Sequence, residues 1–399
     1  MGKAAVAGVG QLPFKARYAD KTYFSLAFEA VKQALDDAGL SPKDVGSVVY
    51  AIYSEPLLRQ GFPDIFLHDY LGMQGKTGLK VAAAEATGGH GIYAAVSQIA
   101  SGMADCVLLL AVQKVSDLYD FHTGSRGDGL LKAASLFPEY TWERPVVPNN
   151  IAHLTGTCLV PHMDKYGSPT VEQIARIAVK NHQNALLNPQ AQLKLNLTVE
   201  DVLNSRIIAW PTTLYECCLY GDGAAALVLV SEEKARSLPH PPVWVTGTAL
   251  ADHSLHRLEP RMLGRVPGVA KAARDAYGQA GIKDPLRELD VVELQDLISG
   301  LELIMYEELG LCPAGEGGRL IDEGVVLRDG LLPVNPHGGC VACGHVPGVC
   351  EVSSMGDVVL QLQERAGALQ VPLHHGQGLV ASTCSAASFG AVTIFKRES

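Results

Sequence analysis

The chain is short of almost everything that would place it outside the ordinary folded proteins. Only 6% of its 399 residues are aromatic and 19% are charged, while 47% are apolar. That balance belongs to a globular chain and excludes a disordered tail or a collagen-like fibre. Positive charge is in deficit: 32 Lys and Arg face 42 Asp and Glu, for a net charge of −10. Nucleic acid is therefore excluded as the main partner, because a phosphate-binding surface shows as excess basic residues. An anionic small ligand needs only a local basic patch and stays open. Long hydrophobic runs are missing too. The longest, around Cys106–Val112 and Ala224–Val230, fall far short of a membrane span. Residues 1–14 contain no apolar core of signal-peptide length, and position 6 lacks the Ser or Thr that myristoylation of Gly2 prefers. The nine cysteines are odd in number and scattered. Reduced thiols in a cytoplasm are expected rather than a disulfide framework.

What is present is a repeat. Lys3–Val9 reads as a short strand. Ala27, Ala30, Val31, Ala34, Leu35 and Ala38 follow at helical spacing on one face, closed by Gly39, and Gly46–Tyr53 reads as the next strand. The same apolar face returns 242 residues later at Val269, Ala272, Ala273, Ala276, Tyr277 and Ala280, closed by Gly281 and followed by the strand Leu289–Leu294. Face, cap and following strand recur together. The spacing predicts two similar α/β halves, residues 1–236 and 243–399, joined at the Pro-rich stretch 238–242. Parallel-rich sheets covered by helices are expected. Between residues 115 and 205 the pattern loosens into an insertion or lid, holding one helix candidate, Thr170–Leu187.

Four segments could carry chemistry. Residues 84–91, Ala-Glu-Ala-Thr-Gly-Gly-His-Gly, form a glycine-rich turn entering a helix predicted at Ile92–Met103. Free backbone N–H groups and a helix dipole suit an oxyanion or an activated nucleophile there; a tight packing turn is the bland alternative. Residues 335–348 gather His337, Cys340, Cys343 and His345 among several glycines. His345 could act as a general base or an oxyanion donor. Cys340 and Cys343 make a C-x-x-C, but zinc needs two more ligands, and only His337 and Cys350 are near in sequence. Cys384 sits among small residues at a predicted strand end, as a catalytic thiol or a buried small hydrophobe. Gln295 and Asp296 close the strand of the second repeat, where sites sit in such sheets. His122, His153, His162, Tyr119 and Tyr166 lie in the insertion and could line a pocket or simply be hydrogen-bonded. Cys106, Cys158, Cys217 and Cys218 read as buried small side chains, and Asp222-Gly223 as a turn.

Four stretches in order, residues 179–192, 220–235, 309–324 and 330–345, together resemble the thiolase superfamily, in particular the sterol-carrier-protein-type thiolases. The resemblance spans nearly the whole chain. It implies an α/β thiolase fold: two βαβαβαββ halves in five layers, αβαβα. It further implies a homodimer, coenzyme A thioester substrates and no permanently bound cofactor. Gly344-His345-Val346-Pro347-Gly348 matches the family's Gly-His-Pro-x-Gly loop, with Val346 in place of Pro, so His345 matches the catalytic histidine. Cys384 matches the cysteine that moves the α-carbon proton, although Ala386 replaces the family's glycine. Gln295-Asp296 matches the pair that positions an oxyanion-hole water. Gly88, Gly89 and His90, with Gly339 and Gly344 of the later loop, are the implied substrate and oxyanion contacts.

One departure decides the readings. The family's nucleophilic cysteine is replaced by Gly88, so the usual acyl-enzyme cannot form. A retro-aldol cleavage of a 3-hydroxyacyl-CoA needs only a base and an oxyanion site, which His345, Cys384 and Gln295 could supply. Thiolase-like aldolases of steroid side-chain breakdown resemble this case. They work with a small zinc-ribbon/OB-fold (DUF35) partner, and unlike this chain they lack the Gly-His motif. A C-acyltransferase with its nucleophile relocated to Cys343, Cys384 or His90 is the alternative. A non-catalytic acyl-CoA-binding subunit is the third reading.

Overall fold

Strand β4 (Cys106–Lys114) shows why the apolar runs are unbroken. Its Val107, Leu109 and Ala111 enter one buried cluster, while Cys106, Leu108, Leu110 and Val112 enter another on the opposite face. A strand covered on both faces has no solvent side to mark with polar residues. The computed structural model describes residues 3–118, 150–253, 263–384 and 388–398. Tyr119 and His122 fall outside them.

The nine main strands are β1 (Ala4–Gln11), β2 (Ser47–Ala51), β3 (Thr77–Val81), β4, β5 (Asp222–Ser231), β6 (Val243–Asp252), β7 (Val291–Leu294), β8 (Gln377–Thr383) and β9 (Phe389–Arg397). They form one sheet in the order β3-β2-β4-β5-β1-β6-β9-β8-β7. The order reads as a mirror about the β1–β6 seam, and a bridge from Val292 to Val334 supplies the mate of β3 beyond β7. The seam is thin: only Ala5–Trp244 and Val6–Val243 pair across it.

Helix α1 (Tyr23–Ala38) lies on the outer face of the first half. It starts at Thr22, whose hydroxyl accepts from the Ser25 N–H, and ends at Gly39 with φ 66°. Helix α4 (Pro267–Ala280) covers the second half in the same way and ends at Gly281 with φ 77°. These are the repeated helices of the sequence. Between the two sheet halves lie α2 (Thr87–Ala100) and α6 (Cys350–Leu362), packed together with Ile92, Ala95, Val352 and Met355 in one cluster. Outer helix, sheet, inner helices, sheet and outer helix make the five layers expected. Helix α3 (Val171–Leu187), capped by Thr170, leads the later loop of the insertion onto the second half, where α5 (Ser299–Glu308) also packs.

Helix α2 begins five residues before the predicted Ile92, so the glycines lie in its first turns rather than ahead of them. Glycine is a poor helix former in isolation, but here packing decides. A Cβ on Gly91 would stand 2.7 Å from Leu109 Cδ1, and one on Gly89 would overlap the Ala391 Cβ. No helix among the described residues is long and apolar enough to cross a membrane.

Candidate active site

Four chain segments meet where α2 and α6 begin. Gly88 is the second residue of α2, and Glu351 is the second residue of α6. The Gly88 N–H donates to Glu351 Oε2 at 3.3 Å. A Cβ on Gly88 would lie 2.6 Å from Glu351 Cβ and 2.8 Å from Oε2. The volume a side chain at position 88 would need is therefore filled by a glutamate from the other half. Gln295, at the end of β7, donates through Nε2 to Glu351 Oε1 at 3.0 Å and to the Glu85 carbonyl at 3.2 Å. Its Oε1 accepts the Thr383 N–H at 3.1 Å. The next residue, Cys384, contacts Ser388 Oγ at 3.3 Å. Tyr53 donates to Glu85 Oε1 at 3.4 Å.

Electrostatics set the protonation states. Burial holds the Glu351 carboxyl well above the usual carboxylate range. Cys350 and Glu85 add to the rise, while the Gly88 N–H and the backbone at the start of α6 oppose it. Burial also holds Cys384 above its ordinary value, so its thiol stays neutral. For Cys350, burial pushes upward, but the Cys340 thiol, the His345 ring and the Val346 N–H outweigh it. Cys350 is thus held below the ordinary thiol range, its Sγ 3.0 Å from the Val346 nitrogen, 3.2 Å from the Val346 carbonyl oxygen and 3.7 Å from His345 Nδ1. Its neighbour Cys340 is held well above the thiol range, by its contact with Cys350 and by burial.

His345 is fully buried. Its backbone N–H donates to the Leu219 carbonyl at 2.8 Å, and its ring lies 5.3 Å from that of Tyr220. Gly344, at φ 113°, makes the turn that aims it, and a Cβ there would meet Gln192 Oε1 at 2.6 Å. Gly339, at φ 61°, lies against the Asp296 carboxylate, which accepts the Cys340 N–H. That carboxylate belongs to a buried network. Asn181 donates to Asp296 at 2.7 Å and to Glu302 at 2.8 Å, Asn335 donates to Glu302 at 2.8 Å, and Lys180 and Tyr306 also meet Glu302. The network sets the loop's shape from beneath.

Three comparisons with known proteins bear on this arrangement. Residues 3–199 match the thiolase N-terminal domain, and residues 248–397 match the thiolase C-terminal domain-like family. The chain belongs to the thiolase family. It is 32% identical to an acetyl-CoA acetyltransferase of Methanothermobacter thermautotrophicus over 93% of this chain and 94% of that one. It is 31% identical to sterol carrier protein 2 of Oryctolagus cuniculus, over 94% of this chain and 69% of that protein. Among solved structures, the Ltp2-ChsH2(DUF35) aldolase superposes with a TM-score of 0.79 at 26% identity, covering 98% of this chain and 97% of that one.

Within this thiolase-family chain, the structure brings Gly88 and Gln295 to Glu351, sets Cys384 next to Thr383, whose N–H meets Gln295, and places His345 against Cys350. Other candidates lie elsewhere. The Cys343 thiol meets Asn188 Nδ2 at 3.6 Å and makes no contact with the Glu351 group among the described interactions. His90 turns back to the Ala86 carbonyl at 3.0 Å and sets its edge against Phe389. Gly89 is a packing contact. Both Gln295 amide hydrogens are already donated, so the amide holds Glu351 rather than a water. The four donors considered for zinc do not converge: His337 pairs with Glu293 and Cys343 with Asn188, while His345 joins Cys340 and Cys350 within 4.8 Å. In the insertion, His162 is a buried core histidine between Glu307 Oε2 at 3.2 Å and the Gly264 carbonyl at 2.8 Å. Asp222 opens β5, and its carboxylate accepts from the N–H groups of Tyr18 and Ser116.

Sequence reasoning missed Glu351. A lone acid in the apolar run Val346–Val352 was the available signal, because a carboxyl is rarely buried without a task or a partner.

Proposed function

We propose that this thiolase-family chain breaks, or in reverse makes, the carbon–carbon bond of a 3-hydroxyacyl-CoA by retro-aldol chemistry, with no acyl-enzyme at the α2 turn. One observation carries the reading: the space for a nucleophilic side chain at position 88 is filled by the Glu351 carboxyl. In this reading His345 accepts the substrate hydroxyl proton. The Cα–Cβ electron pair passes to the thioester as an enolate, near the start of α2 and the neutral Cys384 thiol. Gln295 positions Glu351. Coenzyme A enters as part of the substrate, and the chain needs no resident cofactor. The similarity to an aldolase solved with a DUF35 protein supports a DUF35 partner. A homodimer follows the family and is supported by the exposed Ile65, Phe66 and Leu79 around the edge strand β3. Nine unbridged cysteines support a reducing, cytoplasmic setting.

The test is product analysis of a 3-hydroxyacyl-CoA panel, alongside intact-mass spectrometry. A shortened acyl-CoA plus free aldehyde or ketone, with no protein adduct, is the expected result. A covalent acyl adduct overturns the reading. The contact between Cys350 and His345 favours one second reading, acyl transfer to a relocated thiol that His345 activates. An adduct lost in Cys350→Ala establishes it.

A further inference from the structure

We propose that Glu351 is the catalytic acid–base group of this site, a carboxyl supplied by the second half in the position where the first half has no side chain. The assignment rests on the retro-aldol reading and adds the residue that handles the α-carbon proton. The geometry is specific. Glu351 Oε2 faces the Gly88 N–H at 3.3 Å, and Oε1 accepts from Gln295 at 3.0 Å. Gln295 is in turn fixed by the Thr383 N–H and the Glu85 carbonyl. A residue whose only task was to fill space would not need an acid. An aliphatic side chain would fill the same volume without the desolvation that a carboxyl carries. The groups facing Glu351 are Cys350 from its own helix, and Glu85 with its Tyr53 partner from the first half. Burial beside these groups favours the protonated carboxyl, the form that can donate.

The step balances. In cleavage, the hydroxyl proton goes to His345 and the Cα–Cβ bond breaks. Its electron pair becomes the enolate, and the Glu351 carboxyl proton passes to the enolate carbon. The imidazolium proton then returns to the Glu351 carboxylate, and the site is reset. The same group, working backwards, removes an α-proton from the short acyl-CoA product.

That reverse step gives the experiment. The purified full chain is incubated with acetyl-CoA or propionyl-CoA in heavy water, and deuterium at the α-carbon is followed by mass spectrometry. The wild type is expected to exchange. Glu351→Gln keeps the volume and is expected to exchange at least ~100-fold more slowly, the usual span of a lost general acid–base group. Its acyl-CoA dissociation constant should stay within about threefold of the wild type. Glu351→Asp should recover part of the rate. Exchange by Glu351→Gln at the wild-type rate overturns the assignment, as does a wild type that does not exchange. Cleavage of the 3-hydroxyacyl-CoA panel is scored separately. Cleavage unaffected by Glu351→Gln sinks the residue and spares the reaction, whereas exchange without any cleavage sinks the reaction and spares the residue. Gly88→Cys combined with Glu351→Gly checks the geometry. The freed space should let the new thiol take up one acetyl group from acetyl-CoA, and the Gly88→Cys single variant should not.

Discussion

Replacing Gly88 by alanine measures how tightly the two helix starts are fitted. The new Cβ would stand 2.6 Å from Glu351 Cβ, 2.8 Å from its Oε2 and 3.2 Å from the Gly348 carbonyl. The first two distances cannot persist, so the backbone of α2 or α6 must move. Overpacking of that kind costs about 1–3 kcal/mol. Alanine's better helix propensity offsets up to ~1 kcal/mol, and less than that so near a helix end. The net expectation is a loss of about 1–2 kcal/mol. In the Glu351→Gly background both short contacts vanish and only the looser approach to Gly348 remains. There Gly88→Ala should be neutral or slightly stabilising, for a coupling energy of about 2 kcal/mol between the two positions. The assay is urea unfolding of the four proteins of the cycle, followed by circular dichroism and fluorescence, with coincident transitions required. The same destabilisation in both backgrounds, within ~0.5 kcal/mol, would refute the claim that Glu351 occupies this space.

Three further outcomes are expected. Lys180→Met leaves Glu302 buried with its cation removed. It should destabilise by about 3–5 kcal/mol, and Lys180→Met with Glu302→Gln should recover much of that in the same unfolding assay. His337 is buried; burial lowers its pKa, but Glu293 outweighs that and raises it to about 9. A raised folded-state value means the stabilisation is complete below about pH 6.5, the ordinary histidine value, and is lost as pH rises towards 9. Wild-type stability should fall by on the order of 3 kcal/mol across that window, a fall that His337→Gln should flatten; a fall of equal size in His337→Gln would refute the assignment. Gly344→Ala places a Cβ against Gln192 at a φ of 113°. It should cost more than ~1 kcal/mol and lower turnover by displacing His345, and full activity in a stable variant would contradict the role given to that turn.

The frame of the molecule was legible because its signals are local. The face shared by Ala27–Ala38 and Val269–Ala280, each closed by a glycine, survives as α1 and α4. Motif spacing also led to Gln295, which meets Glu351 directly, and to His345 and Cys384, which lie one residue removed, against Cys350 and after Thr383. The start of α2 was misread because its glycines are weak helix formers, and only contacts with Leu109 and Ala391 make them suitable there. Glu351 was missed for a different reason. Its partner, Gly88, lies 263 residues away, and no periodicity reports that a carboxyl fills a hole left by an absent side chain. Cys343 and His90 looked suitable from their neighbours in sequence, and their side chains turn to Asn188 and Ala86 instead.

The near-mirror order of the strands has a consequence at Gly88 and Glu351. They are the same rung of two equivalent helices, and they meet across the approximate twofold axis that relates the halves. A residue on such an axis faces its own copy, and here the approach leaves room for only one side chain. Two identical subunits could not resolve that conflict, because whatever one carried the other would carry too. A single chain with two independent copies can leave one place empty and furnish the other. The reactive group can thus change from one half to the other, with a different functional group each time, while the surrounding architecture is kept.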